Sequence, residues 1–514
     1  MVPSISFPPA ELAKITAVQS YEERMLFVVL LLRNPALRIV FVTSVVVDPA
    51  IVDYYLRFLP DAAGARERLT LVDVGDSSIG SLSEKVLGRP DVVSRLQGLV
   101  ADGGTMLPFN VTPAEAKLAV ALGLTLCGPP PHLVRLGSKS GSRKVASRAG
   151  VPRPEGAENL FSLEAVAAAI SAIRLRRPEV EAVVVKLDNG FSGIGNAILE
   201  VDGLADPLPA SKTTFCAADE SWGTYSDKVA AEGAIVEELL RIPGLQSPSV
   251  QLRIAPGGAV EVLSSHDQIL GGPENQVYIG CRFPATFAHR AAVVAEARRV
   301  GEVMAGEGVI GSFGIDFLAT PAGDVYLTEI NLRMGGTSHP YWMARLAGGA
   351  AYDAGTGELV AGDGRRLCYT ATDNLKLAGL VGSKPAEVIA LVDGAGLAFD
   401  ASTGTGVTLH LLGALPGHGK LGATCIAGSP EAADELYVEL VSVLTGRVRL
   451  DPASTTSAEV EVGTGGAARR SGAFGTVLLR AVLTVATGGT VGRDVLGIGV
   501  LLGGGRLHHR RFSW

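Results

Sequence analysis

The sequence predicts an α/β chain built from several α+β lobes. Three observations carry that prediction. Its 514 residues are too many for one hydrophobic core and fit roughly two to four domains. The continuous apolar, β-branched run RIVFVTSVVV (38–47) has the texture of a strand buried on both faces, and comparable runs alternate with helical segments. Further along, GSFGIDFLATPAGDVYLTEINLR (311–333) reads as two strands joined by a turn.

The bulk properties narrow the class. Apolar residues make up 47% of the chain, which suits a globular protein. A net charge of −7 works against bulk attraction to nucleic acid. Cys127, Cys216, Cys281, Cys368 and Cys425 lie far apart with no CxxC pair, which speaks against a disulfide framework or zinc cluster and fits a reducing compartment. The opening MVPSISFPPAELAKI lacks the basic-then-apolar pattern of a signal peptide, and MLFVVLLL (25–32) is too short to span a bilayer. A cytoplasmic protein with no membrane or nucleic-acid partner is expected.

In chain order, the run at 38–47, LTLVDVG (69–75) and GTMLPFN (104–110), with helical stretches at 50–58 and 91–100, predict a small parallel α/β domain over 1–135. Thr112-Pro113-Ala114-Glu115 supplies an N-cap, a proline at N1 and an acid at N3, and so starts a helix. CGPPP (127–131) breaks the pattern, and residues 139–149 form a helix closed by Gly150. A mixed region continues to 350. An α/β extension over 351–450 carries the strands VTLHLLGAL and LGATCIA and the amphipathic helix EAADELYVELVSVL, begun by Ser429-Pro430. From 451 to 514 the texture becomes Gly/Val/Leu/Arg-rich, and Arg480 and Arg493-Asp494 interrupt it too often for a membrane span. No role is assigned to this tail.

Glu329, Asn331 and Arg333 alternate along one strand and so share a face. If the turn centres on Ala322-Gly323, Asp316 pairs directly with Glu329, their β-carbons about 5 Å apart. Facing carboxylates repel unless a cation joins them. The oxygen donors Asp316, Glu329 and Asn331 suit Mg²⁺, and Arg333 suits a phosphoryl oxygen. The other reading is a solvent-facing hairpin with a polar stripe.

VVVKLDNGFSGIGN (183–196) delivers Lys186 from a strand into a loop whose Asn189, Gly190, Ser192, Gly193 and Gly195 allow backbone amides to approach phosphates. It is neither a GxxxxGK[ST] loop nor a GxGxxG fingerprint, and a flexible hairpin tip remains open. Lys139 opens the helix in LGSKSGSRKVASRAG, either as a phosphate ligand or on a solvated basic face. AIVEELLRIPG places Glu237, Glu238, Leu239 and Leu240 either in a linker strand that holds an adenine or at the end of an amphipathic helix.

The order of these motifs resembles the ATP-grasp superfamily over residues 138–345, most specifically in the thirteen-residue spacing of Asp316 and Glu329 and in E-I-N-L-R. Ser138 stands where an aspartate is common, and Gln246 stands in for the expected ribose-side acid. LPFNVTPAEAKLAVALGLTLCGPPP, SSHDQILGGPENQVYIGCRFPA and TGVTLHLLGALPGHGKLGATCIAGSP extend the likeness, over about residues 1–450, to peptide ligases of the pheganomycin type. In these a Rossmann-like pre-ATP-grasp domain precedes the catalytic lobes.

The resemblance implies an acid donor activated by ATP as an acylphosphate and captured by an amine, with one or two Mg²⁺ ions held by Asp316, Glu329 and Asn331. Lys139 and Lys186 would hold phosphates, Arg333 would act on the transferring group, and 189–195 would form a lid. It further implies a guanidino- or amidino-bearing amino-acid donor and a peptide acceptor, and leaves room for a homodimer. His266, Asp267, Gln268, Gly335 and Gly336 are candidates for the substrate side, with a buried structural histidine as the other reading of His266. Rival readings are another ATP-grasp reaction, such as an amino-acid ligase or a carboxylase, and an inactive nucleotide-binding module. No biotin-bearing Met-Lys-Met occurs in the chain.

Overall fold

The computed structural model describes residues 1–446 apart from 191–192, 194, 202–207, 209 and 218–219. Ser192 and the 451–514 tail therefore lie outside the described residues. Of the first apolar run, Ile39–Thr43 forms strand β1, which pairs in parallel with Leu69–Asp73, β2. The third expected strand shortens to Thr105–Met106, which pairs in parallel with Thr125–Leu126. Helices Pro49–Leu56 and Pro90–Leu99 fall where expected. The helix Pro113–Leu122 carries the full capping box between Thr112 and Glu115. The apolar segment MLFVVLLL winds inside a 3₁₀ run, Val18–Arg33, and packs in one core with Tyr369, Leu409 and Leu440 from the C-terminal part. No helix among the described residues is long and apolar enough to cross a membrane.

Helix α1, Lys139–Ala149, starts on the Ser138 side-chain cap and ends at Gly150 in the left-handed region, φ 63°. A five-stranded antiparallel sheet then holds β3 (Ala182–Leu187), β4 (Asn196–Glu200) and β5 (Ala234–Glu238). The AIVEE segment is thus a buried strand and not the end of a helix. It lies between β3 and Gly156–Leu160.

The second lobe is a ten-stranded sheet. It includes β6 (Pro248–Ile254), β7 (Val260–Gly271), β8 (Gly311–Ala319) and β9 (Val325–Asn331), backed by helix α2, Phe287–Gly306. After helix α3 (Ser338–Ala347), the strands β10 (Arg366–Lys376), β11 (Gly406–His410) and β12 (Lys420–Ala427) join the same sheet. Helix α4, Pro430–Gly446, packs on β10 and β12.

The β8–β9 pairing shows how local geometry sets the site. At the turn, Ala319 pairs with Val325 and Phe317 with Leu327, one residue off the register of a turn centred on Ala322-Gly323. Gly323 takes φ +97°, and Thr320 N donates to Asp324 O at 2.9 Å. A bulge between Asp316 and Phe317 then makes Thr328 the extra residue and restores the pairing of Asp316 with Glu329. The Thr328 hydroxyl donates to Asp316 O at 3.1 Å. Without the bulge, a one-residue slip would have turned Glu329 to the opposite face.

Candidate active site

A cleft of about 930 Å³ is lined by both lobes and by the N-terminal segment. Asp316, Glu329, Asn331 and Arg333 line it from β8, β9 and the turn after β9. Asn331 Nδ2 donates to Asp316 Oδ2 at 2.8 Å, and Arg333 Nη2 donates to Asn331 Oδ1 at 2.9 Å. Asp316, Asn331 and Arg333 are therefore one connected chain. Burial against the sheet, and then the charge of Glu329, push the Asp316 carboxyl up to about 7. Burial holds the Arg333 guanidinium below its usual range, against the pull of Glu329 and Asp316. Its carbon sits 5.8 Å from the ring centres of both Phe7 and Phe109.

The other lobe supplies two lysines. Buried Lys139 donates from Nζ to Gly190 O at 2.6 Å and lies 3.4 Å from Glu329 Oε1. Its backbone amide donates to Asp188 O at 3.0 Å, which ties the start of α1 to the end of β3. Lys186 Nζ donates to Glu237 Oε2 at 2.8 Å.

Glu237 is almost fully buried and also accepts from Arg143 Nη1 at 2.5 Å, so its carboxylate is already bound to two cations. Glu238 accepts from the Glu155 amide at 3.0 Å and faces Arg177 Nη2 at 3.4 Å. Both line the cleft with Leu239 and Leu240, and both carboxylates already accept from the protein's own donors. Gln246 lines the cleft and bridges to Ala319.

In the glycine loop, Gly193 lines the cleft with φ +75°, and an added Cβ would lie 1.8 Å from Gln276 O. Gly190 and Gly195 pack backbone against backbone: a Cβ on either would lie 3.3 Å from the other's Cα. Asn189 is exposed, and its amide donates to Glu232 Oε2 at 3.3 Å.

Two substrate-side candidates do not line the cleft. His266 is fully buried, its Nε2 2.6 Å from the Tyr369 hydroxyl, and burial lowers its pKa to about 3. Asp267 accepts from the Thr286 amide and hydroxyl at 2.8 and 2.5 Å and lies 2.7 Å from His289 Nε2, so it caps the start of α2. Alternation puts Asp267 on the face opposite to Gln268, which does line the cleft, whereas His266 shares the face of Ser249 and Asp316 and is covered there by Phe283 and Tyr369. Gly335 and Gly336 line it as well, and a Cβ on Gly336 would lie 2.7 Å from the Tyr278 ring.

Other lining residues went unnoticed in the sequence. Ser249 and Gln251 on β6 sit opposite Asp316 and Gly314 on β8. Arg24 and Tyr21 reach the cleft from the N-terminal 3₁₀ run, and Asp373, Lys376 and Lys420 from the C-terminal strands. Arg24 Nη1 donates to Asp373 Oδ2 at 2.7 Å. Lys420 Nζ donates to the Tyr21 hydroxyl at 2.6 Å, and burial lowers its amine to about 8. The charged triplet Glu22-Glu23-Arg24, set directly before an apolar run and buried with it, was the available signal.

With this geometry in view, the chain matches the family described as "IQCH-like, ATP-grasp" over residues 131–213 and 208–332, and the "PGM1 C-terminal domain" over 387–440. It is 36% identical over 429 residues to an L-propargylglycine–L-glutamate ligase from Streptantibioticus cattleyicolor, covering 81% of this chain and 87% of that protein. The fold is shared with a Campylobacter jejuni biotin carboxylase at TM-score 0.53 and 14% identity, covering 83% of this chain and 92% of that one. An N5-carboxyaminoimidazole ribonucleotide synthetase in complex with ADP aligns at TM-score 0.50 and 14% identity, covering 83% and 94%. Likeness to the ligase over most of both chains decides among these: the chain belongs to the ATP-grasp ligases of the pheganomycin type.

Proposed function

We propose that this protein is an ADP-forming carboxylate–amine ligase that joins an amino-acid donor to the amino group of an amino acid or short peptide. One observation carries the reading: two facing carboxylates and an Asn331–Arg333 chain share a cleft with Lys139 and Lys186 of the other lobe. Asp316, Glu329 and Asn331 form an all-oxygen set, and burial with the facing charge of Glu329 raises the Asp316 carboxyl even with Lys139 3.4 Å from Glu329, a donor set that would suit one or two Mg²⁺ ions. Held there, the metal would neutralise phosphate charge.

The donor carboxylate oxygen attacks the γ-phosphorus of ATP, the bond to the β-phosphate oxygen breaks, and ADP leaves. The acceptor's neutral amine then attacks the acylphosphate carbon, phosphate departs and the amine loses its proton. Lys139 and Lys186 bind phosphate oxygens, which exchange for their present partners Gly190 O and Glu237. Arg333 holds the transferring group, where a planar donor fork matches phosphoryl and acylphosphate oxygens. Closure of the 189–195 loop excludes water that would hydrolyse the intermediate.

Gln268, Gly335 and Gly336 belong to the substrate side. The resemblance implies a guanidino or amidino donor and a peptide acceptor. The charge of the wall favours differently: Arg24, Lys376 and Lys420 outnumber Asp373, which Arg24 already pairs, so a substrate bringing a carboxylate is better matched. The test is mass spectrometry of products formed with ATP, Mg²⁺ and a panel of neutral, acidic and guanidino amino acids. An amide product with ADP and phosphate in equal amounts is expected. ATP turnover with no amide product in any combination would refute the ligase.

A further inference from the structure

Beside the wall that carries Asp373 is a second cluster, which phosphoryl transfer does not use. His339 lies in the first turn of α3, just after the Gly335-Gly336 loop, Asp373 lies in β10, and His410 ends β11. Relative exposures are 2%, 8% and 2%, so all three are withdrawn from bulk water. His339 Nε2 and His410 Nε2 are 2.9 Å apart, and they lie 2.9 and 2.8 Å from the same oxygen, Asp373 Oδ1. Arg24 holds the other carboxylate oxygen.

Protons do not close this triangle. Each Nε2 carries at most one hydrogen, and with Arg24 donating to the other oxygen of Asp373, Oδ1 faces the two rings as an acceptor. If both histidines donate to Oδ1, two N–H groups face each other; if one donates to the other, a nitrogen lone pair faces a carboxylate lone pair. One edge is always repulsive. The rings also do not aim at each other. A collinear N–H···N bond of this length would set the ring centres about 5.2 Å apart, whereas two imidazoles at right angles on one ion would set them about 4.5 Å apart. The observed separation is 4.2 Å.

The triangle's edges agree with the ion. Ligands about 2.1 Å from an octahedral metal are about 3.0 Å apart along each adjacent edge, against about 3.4 Å for tetrahedral ligands at the same distance. An added Cβ on Gly422 would lie 2.0 Å from His410 Nε2, so glycine there makes room for the ring.

We propose that His339, Asp373 and His410 form a facial two-histidine, one-carboxylate site for a first-row transition-metal ion of the Mn²⁺, Fe²⁺ or Co²⁺ class. The nitrogen donors select against Mg²⁺, so this site is distinct in chemistry from the carboxylate pair at Asp316 and Glu329. Its three ligands come from α3, β10 and β11, and Asp373 and Arg24 line the cleft, so the ion positions the substrate wall without touching the phosphates.

The experiment is a Co²⁺ titration of chelator-stripped full-length protein without ATP or Mg²⁺. The adjacent pair His508 and His509 is first replaced by alanine to remove it from the titration. One equivalent of bound Co²⁺ is expected in this background and in its Asp316→Asn/Glu329→Gln derivative, with at least about tenfold weaker binding in His339→Gln and His410→Gln. X-ray absorption of the cobalt-loaded parent background needs no triad variant and should show two imidazole ligands. Substoichiometric binding, a spectrum without imidazole, or undiminished binding in a folded triad variant would overturn the site.

Discussion

Asp316→Asn should stabilise the free protein while abolishing its reaction. Asp316 titrates near 7 in the folded chain against an ordinary 3.8. The folded state therefore holds its proton more tightly than the unfolded state between these values, and stability falls as pH rises through that window. The penalty is absent below about pH 4 and complete above about pH 7. Roughly three pH units correspond to about 4 kcal/mol. Asp316 is half-buried in the wall of a wet cleft, so screening reduces the expected gain to about 2 kcal/mol. Asparagine keeps an oxygen for Asn331 Nδ2 to donate to. Urea unfolding in EDTA should find the variant more stable at pH 8, with the gap about 1 kcal/mol smaller at pH 5. Mg²⁺ and ATP should then stabilise the parent and not the variant. A variant less stable than the parent at pH 8, or a gap that ignores pH, would refute the argument that burial and the facing Glu329 penalise an ionised Asp316.

Arg333→Ala should slow ligation by about 100-fold or more while ATP binding by calorimetry changes little; an equal loss of ATP affinity would remove Arg333 from the transferring group. Glu237→Gln leaves Lys186 and Arg143 as buried cations without their shared acid and should cost about 3 kcal/mol of stability, read as a fall in the urea midpoint. Gly336→Ala drives a methyl against Tyr278 and should raise KM for the acid substrate about tenfold while sparing KM for ATP. His266→Phe should stay within about twofold of the parent ligation rate, since His266 is buried between Phe283 and Tyr369 and does not line the cleft; a hundredfold loss would return it to the substrate side.

Much of the architecture was legible because it rests on local physics. The cap at Ser138, the left-handed closure at Gly150 and the capping box at Thr112 are set by neighbours within a few residues. The alternation of Glu329, Asn331 and Arg333 fixed a shared face, and the Asp316–Glu329 pairing followed from their spacing. That pairing was reached through a register that fails at the turn and is restored by a bulge at Thr328, a detail no periodicity reveals. Alternation puts His266 and Asp267 on opposite faces but does not say which face lines the cleft, nor that Phe283 and Tyr369 bury His266 as a structural histidine.

The sequence alone therefore determined the identities of the charged groups and the strands and helices that carry them. Tertiary structure decided which of those groups meet. Arg24 and Asp373 are 349 residues apart in sequence yet joined at 2.7 Å, and His339 reaches His410 across 71 residues. Glu237 became the counter-ion of buried Arg143 and of Lys186 only when β3 and α1 closed around it. Caps, turns and alternation follow from short-range sterics and hydrogen bonding. The crossing of distant strands depends on how whole faces bury together, and no short window of residues contains that term.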